Sequence, residues 1–233
     1  SKEKDRLSLF FSLPLWYPLG NLIFMKVELH CHTNHSDGLP TVEKVIRKAE
    51  ACVDAIAITD HNTCSGYEKA RKMKKNILLI PGVEVHATHN EKTGHILVIG
   101  SNDVKFRKYM DAHELIDNAH SAGAIAIVAH PFGGLFRPGF TEKEIVRKFD
   151  AIEVVNGMTF GPLNRKAMRL AKSLAMKMTA GSDAHALNMV GRYACEINAD
   201  SIDGVIKAIK KGKVDLPSAK TEPARIVSTQ IVR

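Results

Sequence analysis

Several things are scarce in this chain. Its four cysteines, Cys31, Cys52, Cys64 and Cys195, form no CxxC pair and keep no regular spacing. That excludes a zinc ribbon and a disulfide framework, and it makes a reducing, cytoplasmic setting the expectation. A single tryptophan, Trp16, and 6% aromatics leave no aromatic platform of the kind that single-strand nucleic-acid binders use. No low-complexity linker divides the 233 residues, so one domain with a substantial core is expected. The one long charge-free run, residues 7–24, is broken by Pro14, Pro18 and Gly20. Those residues argue against a membrane-spanning helix, and no small-x-small cleavage site follows. The run is read as an N-terminal extension, residues 1–24, ahead of a domain over 25–217 and a tail over 218–233, with no membrane partner.

What the chain has in excess is histidine, 11 residues, together with a net charge of +8. The charge suits an anionic substrate or a nucleic acid but selects neither. From Met25 onward, short apolar runs alternate with helical patterns. The runs cover 25–31, 55–59, 77–85, 95–100, 124–130, 151–156 and 177–183, and their continuous hydrophobicity marks parallel strands buried on both faces. Helices are expected over 41–53, 64–75, 111–122, 141–149, 162–174 and 201–211, several with starting signals such as Pro40-Thr41 and the TEKE of residues 141–144. Some seven βα units in series imply an α/β fold, either an open doubly wound sheet or a barrel.

The strand ends favour the barrel, because nearly every one carries a histidine or a carboxylate, and in a barrel such ends converge on one rim. His30 and His32 lie two apart on a strand, so their rings face the same way while Cys31 points away. Asp37 follows in a Ser-Asp-Gly turn, where Gly38 permits a sharp return. Asp60 and His61 close the second run; they also read as a cap and a loop residue. Glu84 sits between Val83 and Val85, and a carboxylate in so apolar a run needs a cation or hydrogen-bonding partners. His130 ends another run, and Asp183 with His185 repeats the two-residue spacing. His95 precedes its run, which requires either an antiparallel strand or a loop that returns it to the rim. Nitrogen and carboxylate donors without sulfur suit Zn²⁺, Mn²⁺ or Fe²⁺, and the group is too large for one tetrahedral ion. Two to three divalent metal ions are expected. Of the other histidines, His113 and His120 read as surface or core-edge residues, and His86 as a neighbour of the rim.

In order along the chain, HxHTxxSDG (30–38), TDH (59–61), GVE (82–84), GHILxxG (94–100), AHP (129–131), IEVxN (152–156) and GSDAH (181–185) resemble the motif set of the PHP, or polymerase and histidinol phosphatase, family. The resemblance implies a distorted (β/α)7 TIM-like barrel with a trinuclear metal site at the C-terminal rim of the strands, hydrolysing phosphoesters. It implies one metal on His30, His32, Glu84 and Asp183, a second held by Glu84, His95 and His130, and a third by Asp37, His61 and His185. Glu84, as the bridging ligand, and Asp60, as a proton donor or an orienting partner, are the candidate catalytic residues. Arg137, Arg192 and Asn156 are the candidate substrate-binding residues, the arginines as clamps on phosphate oxygens. The expected substrate is a small phosphomonoester, a nucleotide among the options. The alternatives are a single-strand exonuclease, a histidinol phosphatase and a non-catalytic scaffold; the last would be expected to have lost ligands, and this chain keeps all nine.

Overall fold

Runs rich in valine, isoleucine and alanine become the strands, and amphipathic stretches between them become the helices. A computed structural model describes residues 24–134 and 137–217, so the expected arm ahead of Phe24 and the tail over 218–233 lie outside the described residues. In chain order the elements are β1 (Phe24–Glu28), α1 (Val42–Glu50), β2 (Ala55–Ala57), α2 (Ser65–Arg71), β3 (Leu78–Ile80), β4 (Gly82–His89), β5 (Lys92–Ile99), β6 (Met110–Asp111), α3 (Ala112–Ser121), β7 (Ile125–Val128), α4 (Lys143–Val146), β8 (Ala151–Asn156), α5 (Gly161–Ser173), β9 (Lys177–Gly181), β10 (Cys195–Asn198) and α6 (Ile202–Lys211).

The helices bury one stripe each. In α1 the buried residues are Val42, Val45, Ile46 and Ala49, the spacing of a single helical face. Helix α6 starts at Ser201, whose side chain accepts from the Gly204 N–H, and stops at Gly212 in the left-handed conformation (φ 68°). The TEKE signal places its helix too early: Glu142 is the N-cap, it makes no side-chain cap bond, and α4 is one turn long. The isoleucines Ile80, Ile96, Ile99, Ile125 and Ile127 are fully buried, and each contributes about 1.5–3 kcal/mol of transfer free energy.

The strands form two sheets, a four-stranded one in the order β10-β1-β2-β3 and a six-stranded one in the order β6-β4-β5-β7-β8-β9. The expected all-parallel series is corrected at two places. Strand β5 is antiparallel to both β4 and β7, and β10, which the apolar runs did not reveal, is antiparallel to β1. The first of these chooses between the two options left open for His95: the strand itself is reversed. Pro81, alone between β3 and β4, passes the chain from one sheet to the other, and its missing N–H suits the break in pairing. Beyond the regular strands, isolated parallel bridges join Cys31 to Ala184 and His61 to Glu84, so the two sheets touch at the ends that carry the histidines.

Candidate metal centre

The expected ligand residues stand at the ends of β1, β2, β7 and β9, near the start of β4 and, because of its reversal, near the start of β5. Glu84 is the hub, fully buried, with five imidazoles around one carboxylate. Its Oε1 lies 3.0 Å from His95 Nδ1 and 3.0 Å from His130 Nε2. Its Oε2 lies 3.1 Å from His30 Nε2, 3.2 Å from His32 Nε2 and 3.2 Å from His61 Nδ1. Asp183 Oδ1 approaches His30 Nε2 at 3.5 Å, His32 Nε2 at 3.3 Å and His185 Nδ1 at 3.4 Å. Asp37 closes the outer side, 3.5 Å from His61 Nε2 and 3.2 Å from His185 Nε2, with half of its side chain exposed. All nine expected ligand residues therefore come together, and Cys31, buried with its thiol directed at the His32 carbonyl, stays out.

Backbone conformation is bent to this purpose. His130 (φ 24°) and Asp183 (φ 50°) sit in the left-handed region, which costs a non-glycine residue about 1–3 kcal/mol. At Gly181 a Cβ would come within 2.5 Å of both the Glu153 carboxylate and the His30 Cβ, so only glycine lets β9 approach that closely.

Whether these residues fit cations can be judged from the protons available. His30 Nδ1 lies 2.9 Å from Glu153 Oε1, a carboxylate that can only accept, so the ring carries its hydrogen there. Its Nε2 then offers a lone pair to a space shared with His32 Nε2 at 3.1 Å and with the acceptor oxygens of Glu84 and Asp183. Acceptors converging on one point require positive charge between them. In the ion-free protein a proton supplies it: burial opposes a charged His30, but Glu153 and Glu84 outweigh burial and lift its pKa to about 10. A divalent ion would displace that proton. His130 behaves oppositely; burial, assisted by Arg137, draws its pKa down to about 4 despite Glu84, leaving it neutral and fit to ligate. Glu84 is held well below the usual carboxylate range, its burial penalty outweighed by the surrounding histidines.

The remaining expected residues divide. Arg137 lines the cavity over the cluster and forms an ion pair with Asp183, while also donating to Asn156 Oδ1 at 3.0 Å. Three corrections follow. Asn156 is buried and spent: its amide donates to Glu153 at 2.9 Å and Asp183 at 3.1 Å, and its carbonyl accepts from Arg137, Met158 N and Thr159 Oγ1. Asp60 does not line the cavity as a proton donor would; it accepts from Thr33 N and Thr33 Oγ1 at 2.7 Å each and from Ser36 Oγ at 2.8 Å. Ser36 Oγ in turn lies 3.5 Å from His32 Nδ1, so of its two expected roles the orienting one is the one the contacts fit. Arg192 is exposed and does not line the cavity.

Two contributors went unassigned in the sequence. Glu153 orients His30 and accepts the His130 N–H at 2.9 Å; as the carboxylate of a fully apolar run it carried the same signal as Glu84. Glu28 is fully buried and accepts the N–H groups of His30, Ser182 and Gly191, each at 3.0 Å, tying β1 to the end of β9. His86, expected as a neighbour of the rim, lines the cavity: on β4 it shares a face with Glu84, and its register partner on β5 is His95.

Fold and site together define the class: an α/β protein whose strand ends carry a carboxylate-centred histidine cluster built for divalent cations. A family model described as PHP-associated matches residues 161–214. That match, with the motif order from His30 to His185, makes the chain similar to the PHP phosphoesterases. It is 26% identical over 146 residues to an uncharacterized protein of Methanocaldococcus jannaschii, a match that covers 57% of this chain and 82% of that one. It is 39% identical over 75 residues to the 5'-3' exoribonuclease Rnm of Salmonella typhimurium, covering 30% of this chain and 26% of that protein. It is 35% identical over 77 residues to the 3',5'-nucleoside bisphosphate phosphatase of Chromobacterium violaceum, covering 32% and 27%. The chain thus spans about a quarter of the length of the latter two. Among solved structures, a two-domain protein of Bacteroides vulgatus that contains a predicted PHP-like metal-dependent phosphoesterase superposes with a TM-score of 0.66 at 21% identity, covering 84% of this chain and 65% of that one.

Proposed function

We propose that the protein hydrolyses a phosphomonoester on a small, nucleotide-type substrate, using two to three divalent ions, Zn²⁺, Mn²⁺ or Fe²⁺. The observation that carries this reading is Glu84, one carboxylate shared by five imidazoles. His30, His32, Glu84 and Asp183 would hold one ion, Glu84, His95 and His130 a second, and Asp37, His61 and His185 a third. Ions so held supply Lewis acidity and a lowered pKa for water. The chain's own groups do the rest. Glu153 keeps the His30 hydrogen on Nδ1, and Asn156 fixes the Asp183 carboxylate from behind. Arg137, mostly buried against the cavity wall, donates to phosphoryl oxygens and offsets the charge that grows on them as the P–O bond breaks.

The same reading closes the strands into a distorted seven-stranded barrel, in the order β1, β2, β4, β5, β7, β8, β9. The Cys31–Ala184 and His61–Glu84 bridges support closure at the two gaps. A cytoplasmic setting fits the free thiols of all four cysteines. Among the described residues no helix is long and apolar enough to cross a membrane. A second reading, removal of nucleotides from an oligonucleotide end, is supported by the stretch shared with the Salmonella exoribonuclease.

A screen of phosphomonoesters, nucleotides and short 5'-phosphorylated oligonucleotides with added Mn²⁺, Zn²⁺ or Fe²⁺ separates the two. Release of phosphate from monomers, abolished by a chelator and by Glu84→Gln, is the expected result. Shortening of the oligonucleotides with no monomer turnover favours the exonuclease, and no hydrolysis with any of the three metals overturns both.

A further inference from the structure

From the hub at Glu84 a line of ring faces runs outward to the surface. His95 stacks on His86 with centroids 4.3 Å apart and planes 9° from parallel. Tyr109 follows, its ring centroid 6.1 Å from that of His86. Tyr109 is 54% exposed, one of three exposed phenylalanine or tyrosine rings among the described residues. It does not lie there loosely. Its backbone is in the left-handed region (φ 61°), which a bulky side chain adopts only when the surroundings impose it. The restraint is visible: Tyr109 N–H donates to the His86 carbonyl at 2.6 Å, and the next two residues pair with β4 as strand β6. Lys108 rests over the ring, its ammonium 5.0 Å from the centroid.

His86 could close a three-histidine group with His61 and His95, but both of those neighbours already face Glu84. The His86 Nε2 is buried with no hydrogen-bond partner among the described residues. An unpartnered ring nitrogen on a cavity-lining histidine has a hydrogen bond to offer whatever enters.

We propose that Tyr109 and His86 form a nucleobase-binding wall beside the phosphoester site, with Lys108 placing positive charge at its edge. This rests on the phosphoesterase reading and gives its substrate a chemical class: a phosphate ester carrying a flat, uncharged heteroaromatic group. Tyr109 supplies the π face, on which any base stacks. His86 Nε2 supplies a polar contact on the cavity side of that face. Other exposed apolar side chains sit on loops that carry site residues: Leu39, whose N–H donates to the His185 carbonyl, and Phe160, two residues after the cavity-lining Met158. Apolar side chains exposed within two residues of the cavity-lining Asp37 and Met158 suit a substrate with an apolar plane better than a bare sugar phosphate.

The test is calorimetric binding to the Mn²⁺-loaded protein of two phosphonates that cannot be hydrolysed, the analogues of adenosine 5'-phosphate and of ribose 5-phosphate. Wild type should bind the adenosine ligand at least tenfold more tightly. Tyr109→Ala should weaken it roughly 10- to 100-fold, the range of one base–aromatic stack, and leave the ribose ligand within twofold. Tyr109→Phe should keep wild-type affinity for both. The proposal is overturned if wild type binds the two ligands alike, or neither, if Tyr109→Ala leaves the adenosine ligand unchanged, or if it weakens both equally. Base-dependent binding in a protein that hydrolyses no phosphoester would sink the enzymatic reading and leave the wall standing.

Discussion

Replacing Glu153 by glutamine changes one atom and should disable a ligand that Glu153 touches only from behind. The carboxylate now faces three donors: His30 Nδ1, the His130 N–H and the Asn156 amide, each at 2.9 Å. Glutamine keeps one acceptor oxygen. If that oxygen stays with the His130 N–H and Asn156, the new NH₂ group meets His30 Nδ1, and two donors cannot share the contact. His30 escapes by moving its hydrogen to Nε2, the atom that faces His32, Glu84 and Asp183. A ligand in the wrong tautomer loses its lone pair. Loss of such an orienting partner typically costs 10- to 100-fold in metal affinity, about 1.4–2.8 kcal/mol. Competition with a graded chelator, read by metal analysis of the protein fraction, measures this directly. Thermal melts in metal-free buffer check that the fold survives. Retention of metal by Glu153→Gln at the wild-type chelator midpoint would refute the tautomer argument.

Other substitutions probe the corrected roles. Asp60→Ala strands the buried Thr33 N–H and frees Ser36, so urea unfolding should register a loss of about 2–4 kcal/mol, and a variant of wild-type stability would contradict the loop-holding role. Glu28→Ala leaves the N–H groups of His30, Ser182 and Gly191 without their acceptor; the expected loss is about 3–5 kcal/mol in the same assay, and Glu28→Gln, which keeps one oxygen, should recover part of it. Arg137→Ala should lower kcat/KM for a phosphomonoester roughly 10- to 100-fold, whereas the exposed Arg192→Ala should change it less than twofold. Equal losses for the two arginines would restore Arg192 to the site.

The division between what could be read and what could not follows the range of the interactions. Strand-end histidines and carboxylates were legible because a polar residue at the tip of a buried apolar run has few other reasons to be there, as with His130 after AIAIVA and Glu84 within ILLIPGVEV. The reversal of β5 was not, since an apolar run has no direction; only the awkward position of His95 hinted at it. Strand β10 hid because Glu196 and Asn198 alternate outward on an edge, so half of its four residues are polar. Asp60, Asn156 and Glu153 are all polar residues near strand ends, and nothing in their spacing tells a cavity-facing group from one turned back to hold a loop. That distinction depends on which neighbours reach them: Thr33 and Ser36 claim Asp60, and His30 claims Glu153. Arg192 failed for the same reason, since following GSDAH in sequence does not bring its side chain over the cavity.

The central claim is that the acceptor atoms around Glu84 are held for divalent cations. Protein purified without chelator, dialysed and analysed for transition metals per chain tests it most directly. At least two ions per wild-type chain are predicted, falling by one or more in Glu84→Gln while the fold persists. A wild-type chain that retains less than one ion and takes up none from micromolar Mn²⁺, Zn²⁺ or Fe²⁺ would contradict it.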